Sequence, residues 1–273
     1  MTSPTASTPD LPARYALAQR VAQQAAERGL AYYQGREDLN IEHKGGDRRD
    51  VVSAADRALE DFIRAELQAA FPEDGFLGEE SGSADLQARC LWVVDPIDGT
   101  ACFLNGLHNW CVSIGMLLDG EPYIGAVADP NHRELFHGMR DQGAFVNDQP
   151  LRVSSASHVR EGLLGVGTFY ARGTEHFIPF LTQLLAEGGM FLRNGSGALM
   201  TAYVAAGRLL GYYETLLKSW DCVAGLVLVA EAGGRSNDFL RGDGLLQGNP
   251  YLVACPGVYQ QVREMIGPML DQD

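Results

Sequence analysis

The sequence predicts a mixed protein, α+β in its first half and α/β in its second. Three observations carry this. A long stretch near the start places Leu17, Val21, Ala25 and Leu30 close to helical period. A series of short apolar runs punctuated by Gly and Asp follows, the pattern of paired strands. Beyond about residue 155, strand-like and helix-like segments alternate. With 273 residues and 46% hydrophobic content, the chain can bury a large core, as one large domain or two closely packed lobes.

Taken in order, residues 1–10 are rich in Ser, Thr and Pro, with neither a basic start nor an apolar run, and read as a disordered tail. A helix is expected from about 11 to 34. The glycine-bearing polar stretch Lys44-Gly45-Gly46-Asp47-Arg48-Arg49 reads as a mobile loop. Ser53 with Asp56 three residues later fits a capping box. The helix after it shows Leu59, Phe62, Ile63 and Leu67 on one face and ends near Phe71-Pro72. Strands are expected at 75–78, 91–94, 112–118 and 123–128, the last two joined by an Asp119-Gly120 hairpin turn. Asn147-Asp148 is a similar turn before a strand at 151–153. An N-terminal α+β lobe would span 11–154 and a C-terminal α/β lobe 155–273. The second lobe should contain a strand at 163–166, helices near 176–187, 197–207 and 221–231, a strand at 251–254 and a closing helix at about 257–267.

Net charge is −14, which argues against a nucleic-acid backbone and against an anionic membrane surface as partners. Five scattered cysteines, an odd number without CxxC spacing, suggest neither a zinc knuckle nor a disulfide framework. A reducing cytoplasm is the expected compartment. The longest apolar stretch, around Cys222 to Ala230, is too short to span a bilayer.

The most informative segment is Asp95-Pro96-Ile97-Asp98-Gly99-Thr100, after the buried-strand run Leu91-Trp92-Val93-Val94. Two carboxylates three apart should emerge at the end of that strand, with a proline bending the chain between them. Converging hard oxygens suit Mg²⁺. Free amides of Gly99 and Thr100, if a helix starts there, suit a phosphate. Asp-Pro and Asp-Gly are also ordinary turn dipeptides. Glu79-Glu80 could be a solvated turn and Asp221 an N-cap. The three segments together, in this order, favour a metal–phosphate site.

The chain resembles the inositol monophosphatase family, Mg²⁺-dependent and lithium-sensitive phosphomonoesterases. Carrying the resemblance are Asp50-Val51-Val52-Ser53-Ala54-Ala55-Asp56, Gly78-Glu79-Glu80-Ser81, the 95–100 segment and Gly143-Ala144-Phe145-Val146-Asn147. Gly195-Ser196-Gly197-Ala198-Leu199, Gly211-Tyr212-Tyr213-Glu214 and Trp220-Asp221 complete it. It implies a layered α-β-α-β-α sandwich with the site between the halves, and a homodimer.

Other phosphatase and hydrolase patterns are missing. No Arg lies six positions after any cysteine, and Asp95 and Asp98 are three apart rather than the two of an aspartyl nucleophile. HExxH, GxSxG and a complete dinucleotide loop are also absent. Direct attack by metal-activated water remains. By resemblance, Asp95 bridges two of the two or three Mg²⁺ ions. Glu79 and the Ile97 carbonyl serve the first ion, Asp98 and Asp221 the second. Thr100 and Glu79 would orient and deprotonate the water, with Asp56 holding Thr100. Gly99 and Thr100 amides would bind phosphate oxygens, while Gly195, Ser196, Gly197 and Glu214 approach the substrate. Lys44 is either a loop contact on the phosphate side or part of a solvated basic turn.

The expected substrate is a small phosphate monoester, an inositol phosphate or similar polyol phosphate. Histidinol phosphate is the alternative, since Glu214 could pair with its ammonium. A protein of another class, a regulatory relative acting on the transcription machinery, is disfavoured by the intact acid set.

Overall fold

The computed structural model describes residues 9–35, 41–43, 51–169 and 174–271. Helix α1 (Leu11–Gln34) has the expected bounds, and Asp10 caps it by accepting the Ala13 amide at 3.1 Å. Its buried stripe of Leu17, Val21 and Ala25 is the one that the periodicity indicated. Strands β1 (Ile41–His43) and β2 (Val51–Ser53) form a small antiparallel pair. Lys44 and its loop lie outside the described residues, as does the Ser53 side chain of the expected capping box. Helix α2 (Ala54–Ala70) buries Leu59, Ile63 and Leu67 and packs beside α1.

The first sheet contains β3 (Gly75–Gly78), β4 (Gly82–Ala84), β5 (Cys90–Asp98), β6 (Cys111–Leu118), β7 (Glu121–Asp129), β8 (Glu134–Met139), β9 (Gly143–Val146) and β10 (Gln149–Pro150). Its order is β10-β9-β8-β7-β6-β5-β3-β4, antiparallel except between β3 and β5. A short helix, α3 (Thr100–Leu104), follows β5. Asp119 and Gly120 both adopt positive φ, 51° and 86°, as a two-residue hairpin turn requires. The strand expected at 151–153 is absent. Only Gln149–Pro150 pairs with β9; after Leu151 the chain turns away, and the Val153 amide bonds to Ala232.

The second sheet, order β12-β11-β13-β15-β14, is mixed. β11 (Leu163–Gly167) runs parallel to β12 (Met190–Leu192) and β13 (Gly211–Leu217). β15 (Asn249–Ala254) runs antiparallel to β13 and to β14 (Arg235–Ser236). The helices are α4 (Phe177–Ala186), α5 (Gly197–Ala205), α6 (Ser219–Glu231), a short α7 (Gly244–Gln247) and α8 (Pro256–Ile266).

Apolar faces define five layers. α1 and α2 cover one face of the first sheet through Val112, Ile114 and Met116. α5 and α6 fill the space between the sheets, and α4 and α8 cover the outer face of the second. The expected α-β-α-β-α sandwich of two lobes is the observed one. α6 lies unusually close to the first sheet: a Cβ at Gly115 would stand 2.7 Å from Val223 Cγ1. Across α1, a buried ion pair joins Arg14 to Asp74 at 2.6 Å, and the Trp92 indole donates to the same carboxylate.

Candidate metal and phosphoester site

The DPIDGT segment is not the strand end that the sequence suggested. β5 continues through Pro96 to Asp98, and its register against β6 shifts between Asp95↔Ser113 and Asp98↔Cys111. Three steps on β5 thus oppose two on β6, a bulge. In a regular strand, residues three apart face opposite sides. The extra residue brings both carboxylates to one side. Asp221 joins them from α6, and each of the three offers an oxygen within 4.8 Å of the others.

Gly99 ends the strand with φ 95°, a backbone state that glycine adopts without strain. A Cβ there would lie 2.6 Å from the Asn109 carbonyl, so the close approach is made by this protein's own backbone. The Thr100 hydroxyl follows, 3.0 Å from the Ile97 carbonyl and 3.4 Å from Asp56 Oδ1. Asp56 is fully buried on α2.

Asp98 is held by the start of α5. The Ser196 hydroxyl donates to Oδ2, the Ala198 amide donates to Oδ2 at 2.7 Å, and the Gly197 amide to Oδ1 at 3.2 Å. Ser196 also caps α5 by accepting the Leu199 amide. Ser196 and Gly197 therefore spend polar groups on an acid of the cluster. Asp221 is the third residue of α6 rather than its N-cap, and its carboxylate accepts the Lys218 amide.

Glu79 stands beside the three-acid group without belonging to it, near enough to push up both Asp95 and Asp221. The turn carrying it is pinned by Glu60, whose carboxylate accepts the Glu80 and Ser81 amides at 2.8 and 2.6 Å. Sequence reading missed Glu60. Its signal was an acid one helical turn after Asp56, on the stripe continued by Ile63 and Leu67.

A cavity of about 140 Å³ adjoins the acids. Asp98, Gly195, Ser196, Gly197, Glu214 and Asp221 line it, with Arg193, which the sequence reading did not single out. Glu214 accepts the Tyr212 hydroxyl. Burial pushes the Glu214 carboxyl up to about 7, against the Tyr212 hydrogen bond and the Arg193 charge.

Burial first, then Glu79, Asp98 and Asp221, drive Asp95 well above the usual carboxylate range. Asp221 rises for the same reasons, burial and the charges of Asp98 and Glu79. Asp98 rises by burial, opposed by its bonds to Ser196, Ala198 and Gly197. An all-oxygen, mutually repelling donor set fits a hard divalent cation. Oδ1 of Asp98 accepts one long hydrogen bond and keeps a lone pair for such an ion.

Comparison with known proteins agrees. A sequence model of the inositol monophosphatase family matches residues 10–267. The chain is 40% identical to an inositol-1-monophosphatase of Mesorhizobium japonicum over 228 residues, covering 82% of this chain and 85% of the relative. It is 34% identical to the Nus factor SuhB of Pasteurella multocida over 260 residues, covering 94% and 97%. The crystal structure of the extragenic suppressor protein SuhB of Bartonella henselae superposes with TM-score 0.87 at 32% identity, covering 93% of this chain and 98% of that one. With the acidic cluster, these likenesses support phosphomonoesterase activity on a small phosphate ester. The chain belongs to the inositol monophosphatase family.

Proposed function

We propose that the protein hydrolyses a small polyol monophosphate, an inositol monophosphate first among them, in a Mg²⁺-dependent reaction. The observation that carries this reading is the convergence of Asp95, Asp98 and Asp221, from β5 and α6, beside a cavity that also holds Glu214. Asp95, Asp98 and Asp221, with Glu79 and the Ile97 carbonyl, would hold two or three Mg²⁺ ions. When bound, such ions supply Lewis acidity, neutralising phosphoryl charge and acidifying water.

The protein's own groups do the rest. The Thr100 hydroxyl donates to the Ile97 carbonyl, which leaves its oxygen free to accept a hydrogen from a water. Glu79 takes the proton. Amides of Gly99 and Thr100 hold the phosphate oxygens. Ser196 and Gly197 serve the substrate indirectly, by fixing Asp98.

A cytoplasmic homodimer belongs to this reading. Among the described residues no helix is long and apolar enough to cross a membrane. The edge strand β12 carries exposed Met190, Phe191 and Leu192, with exposed Leu163 beside Met190 on β11, a row that a second copy could cover.

The test is phosphate release from myo-inositol 1-phosphate by the purified chain. Release should require Mg²⁺, cease with a chelator, be inhibited by lithium and leave no phosphoenzyme on acid quench. Release that persists without divalent ions, or a phosphorylated residue, overturns the reading. Faster turnover of histidinol phosphate would move the substrate to an amino alcohol ester.

A further inference from the structure

Two opposite charges that the phosphate chemistry leaves unused bound the cavity beside the acids: Glu214 on β13 and Arg193 just after β12. Arg193 is the only basic residue among the described lining. It precedes the Gly195-Ser196 turn that holds Asp98, so its backbone is tied to the site. Its side chain is exposed, and among the described residues it makes neither an ion pair nor a hydrogen bond. Its charge acts on both Glu214 and Cys102 of α3, opposing the rise that burial imposes on each. Arg193 thus belongs to the wall of the cavity that also holds Glu214. Glu214 is fixed by the Tyr212 hydroxyl and lies opposite Gly167 in the β11–β13 register.

Resting on the phosphatase reading, we infer that Arg193 is a specificity residue for the alcohol half of the substrate. Guanidinium offers only donors, and the Glu214 carboxylate, in its ionised form, only acceptors, so the match holds above about pH 7. Lining one small cavity, they match two neighbouring hydroxyls, one accepting from Arg193 and the other donating to Glu214. An alcohol that carries an ammonium can pair with Glu214 only beside a fixed positive charge, and like-charge placement selects against it. The pair thus selects an uncharged vicinal diol ester and rejects an amino alcohol ester.

The experiment measures kcat and KM with Mg²⁺ for myo-inositol 1-phosphate and histidinol phosphate, using the parent chain and Arg193→Lys, Arg193→Gln and Arg193→Glu. In Arg193→Gln, KM for the inositol ester should rise about tenfold, with kcat nearly unchanged, because a charged hydrogen bond to the ground state is lost. The preference for the inositol ester should fall by about a hundredfold in Arg193→Glu, with an absolute gain for histidinol phosphate. Arg193→Lys keeps the charge and should keep the discrimination. Arg193 has no partner to lose, so the Lys and Gln variants decide the matter even if the Glu variant folds poorly. Preference ratios that stay within about threefold of the parent across the Lys and Gln variants overturn the inference while leaving phosphatase activity standing. A parent chain that hydrolyses neither ester overturns the inference and the functional reading together.

Discussion

The Ser196 hydroxyl at the start of α5 donates to Oδ2 of Asp98 on β5, so one side chain both caps a helix and anchors an acid of the cluster. The two residues come from different lobes and lie 98 positions apart in sequence. The cap of a helix in the second lobe and the placement of an acid in the first thereby depend on the same side chain. Both helix-start amides, Gly197 and Ala198, point at the same carboxylate, where the positive end of the helix favours its ionised form.

Asp98→Asn is expected to lower kcat by at least about a hundredfold, the scale of losing one strong transition-state stabiliser. The amide keeps one acceptor but turns an NH₂ toward one helix-start donor, costing about 1–3 kcal/mol, partly offset by weaker repulsion from Asp95 and Asp221. The fold should survive. Saturating Mg²⁺ at about a hundred times its Kd should stabilise the parent by roughly 2.7 kcal/mol, and the variant by much less. Phosphate release and thermal melts with and without Mg²⁺ check both; parent-like turnover in Asp98→Asn removes this acid from the site.

Ser196→Ala removes a cap and a donor to Asp98 together. Stability should fall by about 1–2 kcal/mol. The Mg²⁺ concentration for half-maximal activity should rise by about tenfold or more, as expected when the partner that orients a ligand is lost. Ser196→Thr should restore most of both. Denaturant unfolding and a Mg²⁺ titration of activity measure them, and an unchanged Mg²⁺ requirement in the Ala variant contradicts the anchoring role.

Glu214→Gln keeps an acceptor oxygen but not the charge. For a neutral polyol ester, KM should rise by a factor of roughly 5–30, corresponding to about 1–2 kcal/mol, with a smaller change in kcat. For an ammonium-bearing ester the loss should be larger and more dependent on salt. Steady-state kinetics at two ionic strengths distinguish them.

His137 ties β8 to α1 and β9. Its Nε2 meets the Asn147 carbonyl at 2.8 Å and must carry the proton, so Nδ1, 2.6 Å away, accepts the Tyr15 hydroxyl. Burial holds this imidazole below its ordinary value, against the raising effects of the Asn147 carbonyl and Asp148. The unfolded chain takes up the proton near pH 6.5, above the folded value. This contribution is therefore present above about pH 6.5 and is lost as pH falls toward the folded pKa. His137→Gln should cost more at pH 8 than at pH 5.5, read from urea unfolding. A cost that grows on acidification would reverse the assignment.

Local pattern determined much of this protein. α1 and α2 show their buried stripes as helical periodicity, and the Asp119-Gly120 hairpin follows from two residues that tolerate positive φ. Asp95, Asp98 and Asp221 were readable as an acidic set because their segments occur together and in order, each being ordinary when taken alone. Other features depend on register and strand order, which no short window contains. The bulge that turns Asp98 to the side of Asp95 exists only against β6, and the strand runs on through Pro96 where a bend was expected. β8 and β13 escaped the strand reading because glycine and charged residues interrupt their apolar alternation. The Ser196–Asp98 bond, the Glu60 clamp on the Glu79 turn and the cavity shared by Arg193 and Glu214 join residues brought together only when separate elements pack. Periodicity reports which face of an element is buried. What that face meets is decided only when the layers close, because contact between distant segments is a property of the whole arrangement.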